Sequence, residues 1–219
     1  DENPPPDIRT RLGIADDHFL IASVSTLSYT KGVDRIVLGF AKFHREHPES
    51  KLLFVGGGIL GGRTRQLIAA QGISDAVVET GWVSNEDYAA LIGAADVVVD
   101  LRYPSGAETS ASLSRAIAAG KPLIVSEQGT FVELPDSFAR KVAVNDDEVV
   151  RFAESLELLY RDSALRRGMG EAALQFARDH MQLSVAATRY CEFSTKVCRG
   201  PCTAVSKGAV FPGKPAKIE

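Results

Sequence analysis

The sequence has 219 residues, which is enough for one sizeable domain or two small ones. Its 45% hydrophobic and 24% charged residues are typical of globular proteins, and its net charge of −3 provides no basic field for nucleic acid. No run approaches the roughly 18–20 apolar residues of a membrane helix, and the proline-rich start is neither a signal nor a transit peptide. All three cysteines lie beyond residue 190, so the apolar body has no disulfide framework. We therefore expect a cytoplasmic protein without a nucleic-acid partner.

Short apolar runs alternate with amphipathic segments from residue 19 to residue 145. The runs predict strands at 19–25, 51–55, 76–80, 94–100, 122–126 and 141–144. The segments between them predict helices at 7–13, 32–47, 63–70, 85–93 and 110–119, with a short turn or helix at 129–134. The pattern is helical from Asp146 onward, with a last helix at 183–196.

This alternation predicts an α/β fold, a doubly wound parallel sheet of the Rossmann-like type with C-terminal helices. We divide the chain into a linker at 1–6, one domain at 7–196 and an irregular tail at 197–219, which is rich in Pro, Gly and Lys. A ligand of such a sheet is expected at the carboxyl ends of its strands.

The stretch Tyr103–Lys121 joins two predicted strands through a loop and a small-residue helix. Thr109 or Ser110 can cap the start of this helix, and Gly120 can end it. A helix N-terminus at the carboxyl end of a parallel strand offers free N–H groups and a partial positive charge. We therefore predict a bound anion, a nucleotide diphosphate, at 106–112.

Three further loops leave predicted strand ends. Lys31 opens a helix, where a cation opposes the helix dipole unless an anion accompanies it, although a solvated lysine beside a turn is an equal alternative. Gly57 lies in a triple glycine that permits positive φ or close approach of a ligand. Trp82 could stack on a flat ring, although a lone tryptophan after a strand more often packs against its own domain.

Glu108 precedes the presumed helix cap. A carboxylate suits the hydroxyl groups of a sugar better than a phosphate, but an acid at this place also simply stabilises a helix N-terminus. Local sequence leaves both interpretations open.

The order of these loops resembles glycosyltransferase family 4. The motifs that carry the resemblance are KGVD at 31–34, LLFVGGG at 52–58, GWVS at 81–84, AADVVV at 94–99, ETS at 108–110 and RAIAAGKPLIVS at 115–126. The resemblance covers residues 19–195 and is to the C-terminal, donor-binding half of the two-domain GT-B fold.

The resemblance implies a donor-binding domain of a retaining glycosyltransferase that moves a sugar from a nucleoside-diphosphate sugar to a glycan, lipid or other acceptor. Lys31 would neutralise the donor diphosphate, the residues around Gly57 would line the pocket, and Trp82 and Val83 would lie beside the nucleobase. The loop and helix start that grip the diphosphate and sugar would comprise Gly106, Ala107, Glu108, Thr109 and Ser110. Glu108 and Lys31 are thus the catalytic candidates, and no metal or other cofactor is implied because lysine and the helix N-terminus replace the cation.

Three departures weaken this correspondence. Thr26 stands where many members have a phosphate-binding arginine. Arg115 stands where a second glutamate usually binds the ribose, and Ala107 stands at the first glutamate of that pair, one residue before Glu108. Arg115 could take over a phosphate or ribose contact, or be a solvated helix residue. A non-catalytic nucleotide-sugar-binding module and a GT-B sugar-nucleotide epimerase are the alternatives.

The family also implies an N-terminal acceptor-binding domain, for which the residues before Phe19 are too few, so we expect a chain inactive alone. Any peripheral membrane contact would come through that absent domain. Asp96 and Asp100 are too widely spaced for an Asp-x-Asp metal motif. The cysteines, Cys191, Cys198 and Cys202, lack a fourth partner at metal-ligand spacing.

Overall fold

A computed structural model describes residues 7–106 and 109–198. The predicted linker at 1–6 and most of the predicted tail, from residue 199 on, lie outside the described residues. Within residues 7–106 and 109–198, no helix has both the length and the apolar character needed to cross a membrane.

The centre of the fold is a six-stranded sheet whose paired strands all run parallel. The strands are β1 Phe19–Val24, β2 Ser50–Val55, β3 Val77–Glu79, β4 Val97–Asp100, β5 Leu123–Ser126 and β6 Ala139–Val142. Their order in the sheet is β3-β2-β1-β4-β5-β6. From β1, the strands β2 and β3 are added toward one edge of the sheet, whereas β4, β5 and β6 are added toward the other edge. The strand order therefore reverses between β1 and β4, and such a switch point opens a crevice at the carboxyl ends of the strands.

Eight α-helices are described: α1 Ile8–Arg11, α2 Val33–His44, α3 Gly62–Ala70, α4 Asn85–Ala94, α5 Ala111–Ala118, α6 Glu148–Arg161, α7 Ser163–His180 and α8 Leu183–Cys198. Short 3-10 turns lie at Tyr29–Lys31, Ser74–Ala76 and Gly129–Glu133. Ser84 and Ser110 cap α4 and α5 by accepting hydrogen bonds from the N–H groups of Asp87 and Leu113. Gly120 follows α5 with φ +67°, which confirms the predicted end of that helix.

Two hydrophobic clusters cover the two faces of the sheet. Alternate residues of each central strand point to opposite faces: Ile21 and Leu52 belong to the cluster that includes α2 and α6, and Leu20 and Leu53 to the cluster that includes α4 and α5. Burial on both faces explains why these strands read as continuous apolar runs in the sequence. The Rossmann-like, doubly wound prediction is confirmed.

The chain divides into a compact unit that ends at Asp179 and a second unit that begins at His180. The helix α8 belongs to the second unit, and the single domain predicted at 7–196 stays a prediction. No residue of α8 is buried, and it extends to Cys198, two residues into the predicted irregular tail.

Candidate functional site

The loops that follow β1 and β4 meet directly at the switch point. Gly32 has φ +63°, and a Cβ built on it would lie 1.9 Å from the carbonyl oxygen of Leu101. The Tyr103 N–H donates to the carbonyl of Thr30 at 2.9 Å. Arg35 Nη2 donates to the same Leu101 carbonyl at 3.1 Å. The two loops are therefore held against each other by backbone contact.

Lys31 ends the 3-10 turn of the first loop and is partly buried. Its positive charge acts on Asp100, the last residue of β4, and opposes the effect by which burial raises the pKa of that carboxyl. Lys31 is therefore close enough to Asp100, at the end of β4, for its charge to act on that carboxyl.

The start of α5 lies on the other side of this crevice. Ser110 is buried, and its Oγ accepts from the Leu113 N–H at 3.4 Å as the helix cap. Gly106 and Thr109, on either side of the undescribed pair, are exposed, as is Ala111, the first residue of the helix. Ala107 and Glu108 lie outside the described residues.

A buried ion pair, Asp100 with Arg102, contacts the Ser110 cap of α5. Arg102 Nη2 lies 2.8 Å from Asp100 Oδ2 and 3.2 Å from Ser110 Oγ. Ser110 Oγ in turn donates to Asp100 Oδ2 at 3.3 Å. Arg102 is only 2% exposed, and its guanidinium lies over the Phe131 ring, 5.1 Å from the centroid. The cap of α5 is thus connected to the end of β4.

Trp82 lies at the carboxyl end of β3 and packs over the backbone of Gly57. A Cβ on Gly57 would lie 2.3 Å from the indole Nε1, so only glycine leaves room for the ring in this position. The ring is nonetheless 88% exposed, and one face is available to a ligand. Thr26 is exposed. It lies near Gly57, because the next residue, Leu27, donates its N–H to the Gly57 carbonyl at 2.9 Å.

Val83 and Arg115 have other surroundings. The Val83 side chain packs against the hydrophobic cluster on the α4 and α5 face. Arg115 is exposed, contacts Asn85 Oδ1 at 3.3 and 3.4 Å, and lies over the Tyr88 ring. These contacts hold Arg115 against the start of α4, which directly follows the Trp82 loop. A contact of Arg115 with a phosphate or the ribose stays a prediction.

A second ion pair joins α2 to the start of α6. Arg35 Nη1 lies 3.2 Å from Glu148 Oε2, and burial raises the pKa of Glu148 although Arg35 opposes the shift. The Arg35 guanidinium also lies 5.9 Å from the centroid of the half-exposed Tyr103 ring.

A cavity of about 530 Å³ is lined by Arg35 and lies beside the Lys31 loop. Its walls come from the loops after β1 and β2, from the first turns of α2 and α3, and from Tyr103. The polar side chains in its lining are Ser28, Asp34, Arg35, Arg63, Thr64 and Tyr103. The cavity therefore extends the crevice on the α2 face of the sheet.

In the part of the chain that the structure describes, no group of three or more His, Cys, Asp or Glu residues is arranged to hold a metal ion. Cys191 and Cys198 are exposed free thiols on α8.

The sequence reasoning missed the Asp100–Arg102 pair. Asp100 was considered only as a metal ligand, and Arg102 was not considered. The signal was present: an acid and a base flank Leu101 at the end of a fully buried strand, and charges in such a place must be paired.

The fold and these loops define one Rossmann-like half of a GT-B glycosyltransferase. The family model "Glycosyl transferases group 1" matches residues 5–176, and the chain belongs to this family.

Two curated relatives illustrate its range. An uncharacterized glycosyltransferase of Methanocaldococcus jannaschii is 31% identical over 129 residues, which are 58% of this chain and 32% of the relative. Alpha-D-kanosaminyltransferase of Streptomyces kanamyceticus is 25% identical over 181 residues, which are 82% of this chain and 46% of the relative. The chain therefore spans less than half the length of each.

Solved structures share the fold. The C-terminal domain of a glycosyl transferase group 1 family protein from Francisella tularensis superposes with a TM-score of 0.65 at 16% identity, covering 75% of this chain and 87% of that one. The Anabaena protein HepE, in complex with UDP and glucose, superposes with a TM-score of 0.74 at 20% identity, covering 89% of this chain and 53% of HepE.

Proposed function

We propose that this chain is the donor-binding domain of a retaining glycosyltransferase and binds a nucleoside-diphosphate sugar in the crevice between β1 and β4. The observation that carries the proposal is that the Lys31 loop and the capped start of α5 both adjoin the end of β4: the Thr30 carbonyl accepts from the Tyr103 N–H, and the Ser110 hydroxyl donates to Asp100. An ammonium and a set of helix N–H groups that face one crevice suit a diphosphate. The HepE complex with UDP and glucose supports this choice of ligand, because HepE shares the fold.

In this proposal the diphosphate is the leaving group of the transfer. The bond between the sugar C1 and the β-phosphate oxygen breaks, and its electron pair remains on that oxygen. Lys31 and the N–H groups at the start of α5 stabilise the developing negative charge in a partly desolvated crevice. The acceptor oxygen bonds to C1, and its proton passes to the departing β-phosphate oxygen. Lys31 and the helix start replace a metal ion, and Glu108, which lies outside the described residues, is assigned to the donor sugar by its place in the ETS motif.

The nucleoside part of the donor would lie toward β3. The exposed face of Trp82 can stack on a nucleobase, and the Gly57 backbone passes beneath the indole ring. Arg115, held by Asn85 and Tyr88 near this loop, would contact the ribose or a phosphate in place of the usual glutamate. Gly106, Thr109 and Ser110 would contribute backbone at the diphosphate.

Because the chain spans only part of its relatives, we propose that an N-terminal domain completes the enzyme in the cytoplasm and binds the acceptor. Any contact with a membrane would be made by that domain. The isolated chain should then bind a donor but transfer little or no sugar.

Calorimetric titration of the chain with UDP, GDP, UMP and GMP tests the proposal. We expect one diphosphate to bind with a Kd in the micromolar to low millimolar range, at least about tenfold more tightly than its monophosphate, since the second phosphate adds a charged contact. Addition of EDTA should leave this Kd unchanged. Absence of binding at millimolar UDP and GDP, or binding that requires a divalent cation, would contradict the proposal.

Conversion of a sugar nucleotide by the full-length protein without any acceptor would identify an epimerase instead. Binding by a full-length protein that neither hydrolyses nor transfers the sugar would identify a non-catalytic module.

A further inference from the structure

The Ser110 hydroxyl does more than cap a helix. It contacts three groups: the Leu113 N–H, the Arg102 guanidinium and the Asp100 carboxylate. All three donors and acceptors lie within 3.4 Å of Ser110 Oγ. An ordinary N-cap serine needs only the first of these contacts.

The other two partners are placed where they cannot serve as surface charges. Arg102 and Asp100 are 2% and 4% exposed, and they belong to the end of β4, the strand that forms one wall of the switch point. A buried ion pair is poor evidence of added stability, because desolvation offsets most of the attraction. In some proteins such a pair instead fixes a conformation.

The position of Arg102 is fixed in turn by its surroundings. Its guanidinium lies over the Phe131 ring, and its carbonyl oxygen accepts a hydrogen bond from Gln128 Nε2. Both residues belong to the loop that follows β5. Arg102 therefore connects the cap of α5 to the ends of two adjacent strands.

We propose that Asp100 and Arg102 are positioning residues for the proposed diphosphate site and act through Ser110. They hold the first turn of α5 so that its free N–H groups point at the diphosphate opposite Lys31. This inference rests on the proposed function. It assigns to the two buried charges a geometric role that is distinct from a direct electrostatic one.

The single substitution Asp100→Asn separates these roles. If the pair acted through its field, removal of a negative charge beside the site would tighten the binding of an anion. If the pair acts through geometry, the same substitution weakens binding, because Ser110 and Arg102 lose their shared carboxylate. We expect weaker binding.

The double variant Asp100→Asn, Arg102→Gln provides a second test and avoids an unpaired buried charge. It changes the net charge by zero, so any loss of affinity reflects position. We expect the Kd for UDP or GDP to rise about tenfold, while the Kd for the matching nucleoside, uridine or guanosine, changes less than about twofold. Ser110→Ala should weaken diphosphate binding similarly and add little to the double variant, whereas Ser110→Thr retains the hydroxyl and should bind nearly as the wild type does.

Asp96→Asn is the matched control. Asp96 lies just before β4, at the amino ends of the strands and away from the crevice at their carboxyl ends. There it accepts from Arg9 at 3.0 Å and from the Leu20 N–H at 2.8 Å. This variant should lose stability without losing affinity for the diphosphate. Circular dichroism and thermal unfolding establish that each variant is folded.

The outcomes are distinguishable. A wild-type chain that binds neither UDP nor GDP overturns the proposed function and this inference with it. A wild-type chain that binds, together with Asp100→Asn and double variants of equal or greater affinity, overturns the positioning role alone. Equal losses for the nucleoside and the diphosphate would also overturn it, since they would indicate general disruption.

Discussion

The Cα of Gly32 packs against the carbonyl oxygen of Leu101, so closely that a Cβ would lie 1.9 Å from that oxygen. This contact joins the loop after β1 to the loop after β4 at the switch point. Gly32→Ala should therefore destabilise the protein by about 2–4 kcal/mol, because it combines a left-handed backbone conformation with a clash against main chain that cannot rotate away. Urea denaturation measures this loss.

Gly13→Ala is the matched control for Gly32→Ala. Gly13 has φ +66°, but nothing lies within 4 Å of a Cβ built on it. That variant should lose only about 1 kcal/mol, the cost of the backbone conformation. Equal losses at the two glycines would show that the Leu101 contact is unimportant.

Gly57→Ala should displace the Trp82 indole, because the new methyl group would lie 2.3 Å from Nε1. Trp82 is the single tryptophan of the chain, so its emission reports the displacement directly. We expect a changed emission maximum with a stability loss below about 1 kcal/mol, since the exposed ring can swing into solvent. Gly62→Ala is the control, because nothing lies within 4 Å of a Cβ built on Gly62, and it should not change the emission maximum or lower the stability. An unaltered emission spectrum in Gly57→Ala would contradict the packing of the indole on this backbone.

The contribution of Asp100 to the free energy of unfolding should fall as the pH rises. Burial raises the pKa of its carboxyl above the ordinary 3.8, against the opposing charges of Arg102 and Lys31. A group with a raised folded-state pKa contributes stability below its unfolded pKa and loses it as the pH rises through the folded pKa. The free energy of unfolding of the wild type, relative to Asp100→Asn, should therefore fall as the pH rises from below 3.8 toward neutrality.

Asp87→Asn provides a control of the opposite sign. Its hydrogen bond with Arg11 lowers the pKa of Asp87, so the wild type should gain stability over that variant as the pH rises. Urea denaturation at several pH values measures both trends. A relative stability that rises with pH at Asp100 would mean that Arg102 outweighs burial.

The sequence predicted the fold well because the signals for it are local. Apolar runs buried on both faces mark the strands, and Ser110 and Gly120 mark the two ends of α5 within a few residues of each other. The proposed place of the site rests on the same logic, since Lys31 and the start of α5 each follow a strand, and it stays a prediction.

The interior of the site could not be predicted in the same way. The Asp100–Arg102–Ser110 contacts and the Arg35–Glu148 pair depend on which side chains meet in three dimensions, and the latter joins residues more than 100 positions apart in the chain. The contacts of Arg115 could not be predicted either, because Asn85 and Tyr88 come from another helix. The local pattern of apolar and capping residues predicts the helices and strands. The pairing of charges between two helices or strands depends on how these pack together, which the local pattern does not show.

The central claim is that Lys31 binds an anionic diphosphate opposite the start of α5. Titration of UDP and GDP into the wild type, Lys31→Ala and Lys42→Ala, followed by calorimetry or Trp82 fluorescence, tests it most directly. Lys42 is the control, because it is an exposed lysine near the other end of α2. We predict at least about tenfold weaker binding for Lys31→Ala and unchanged binding for Lys42→Ala. Equal affinity of Lys31→Ala and wild type would contradict the claim.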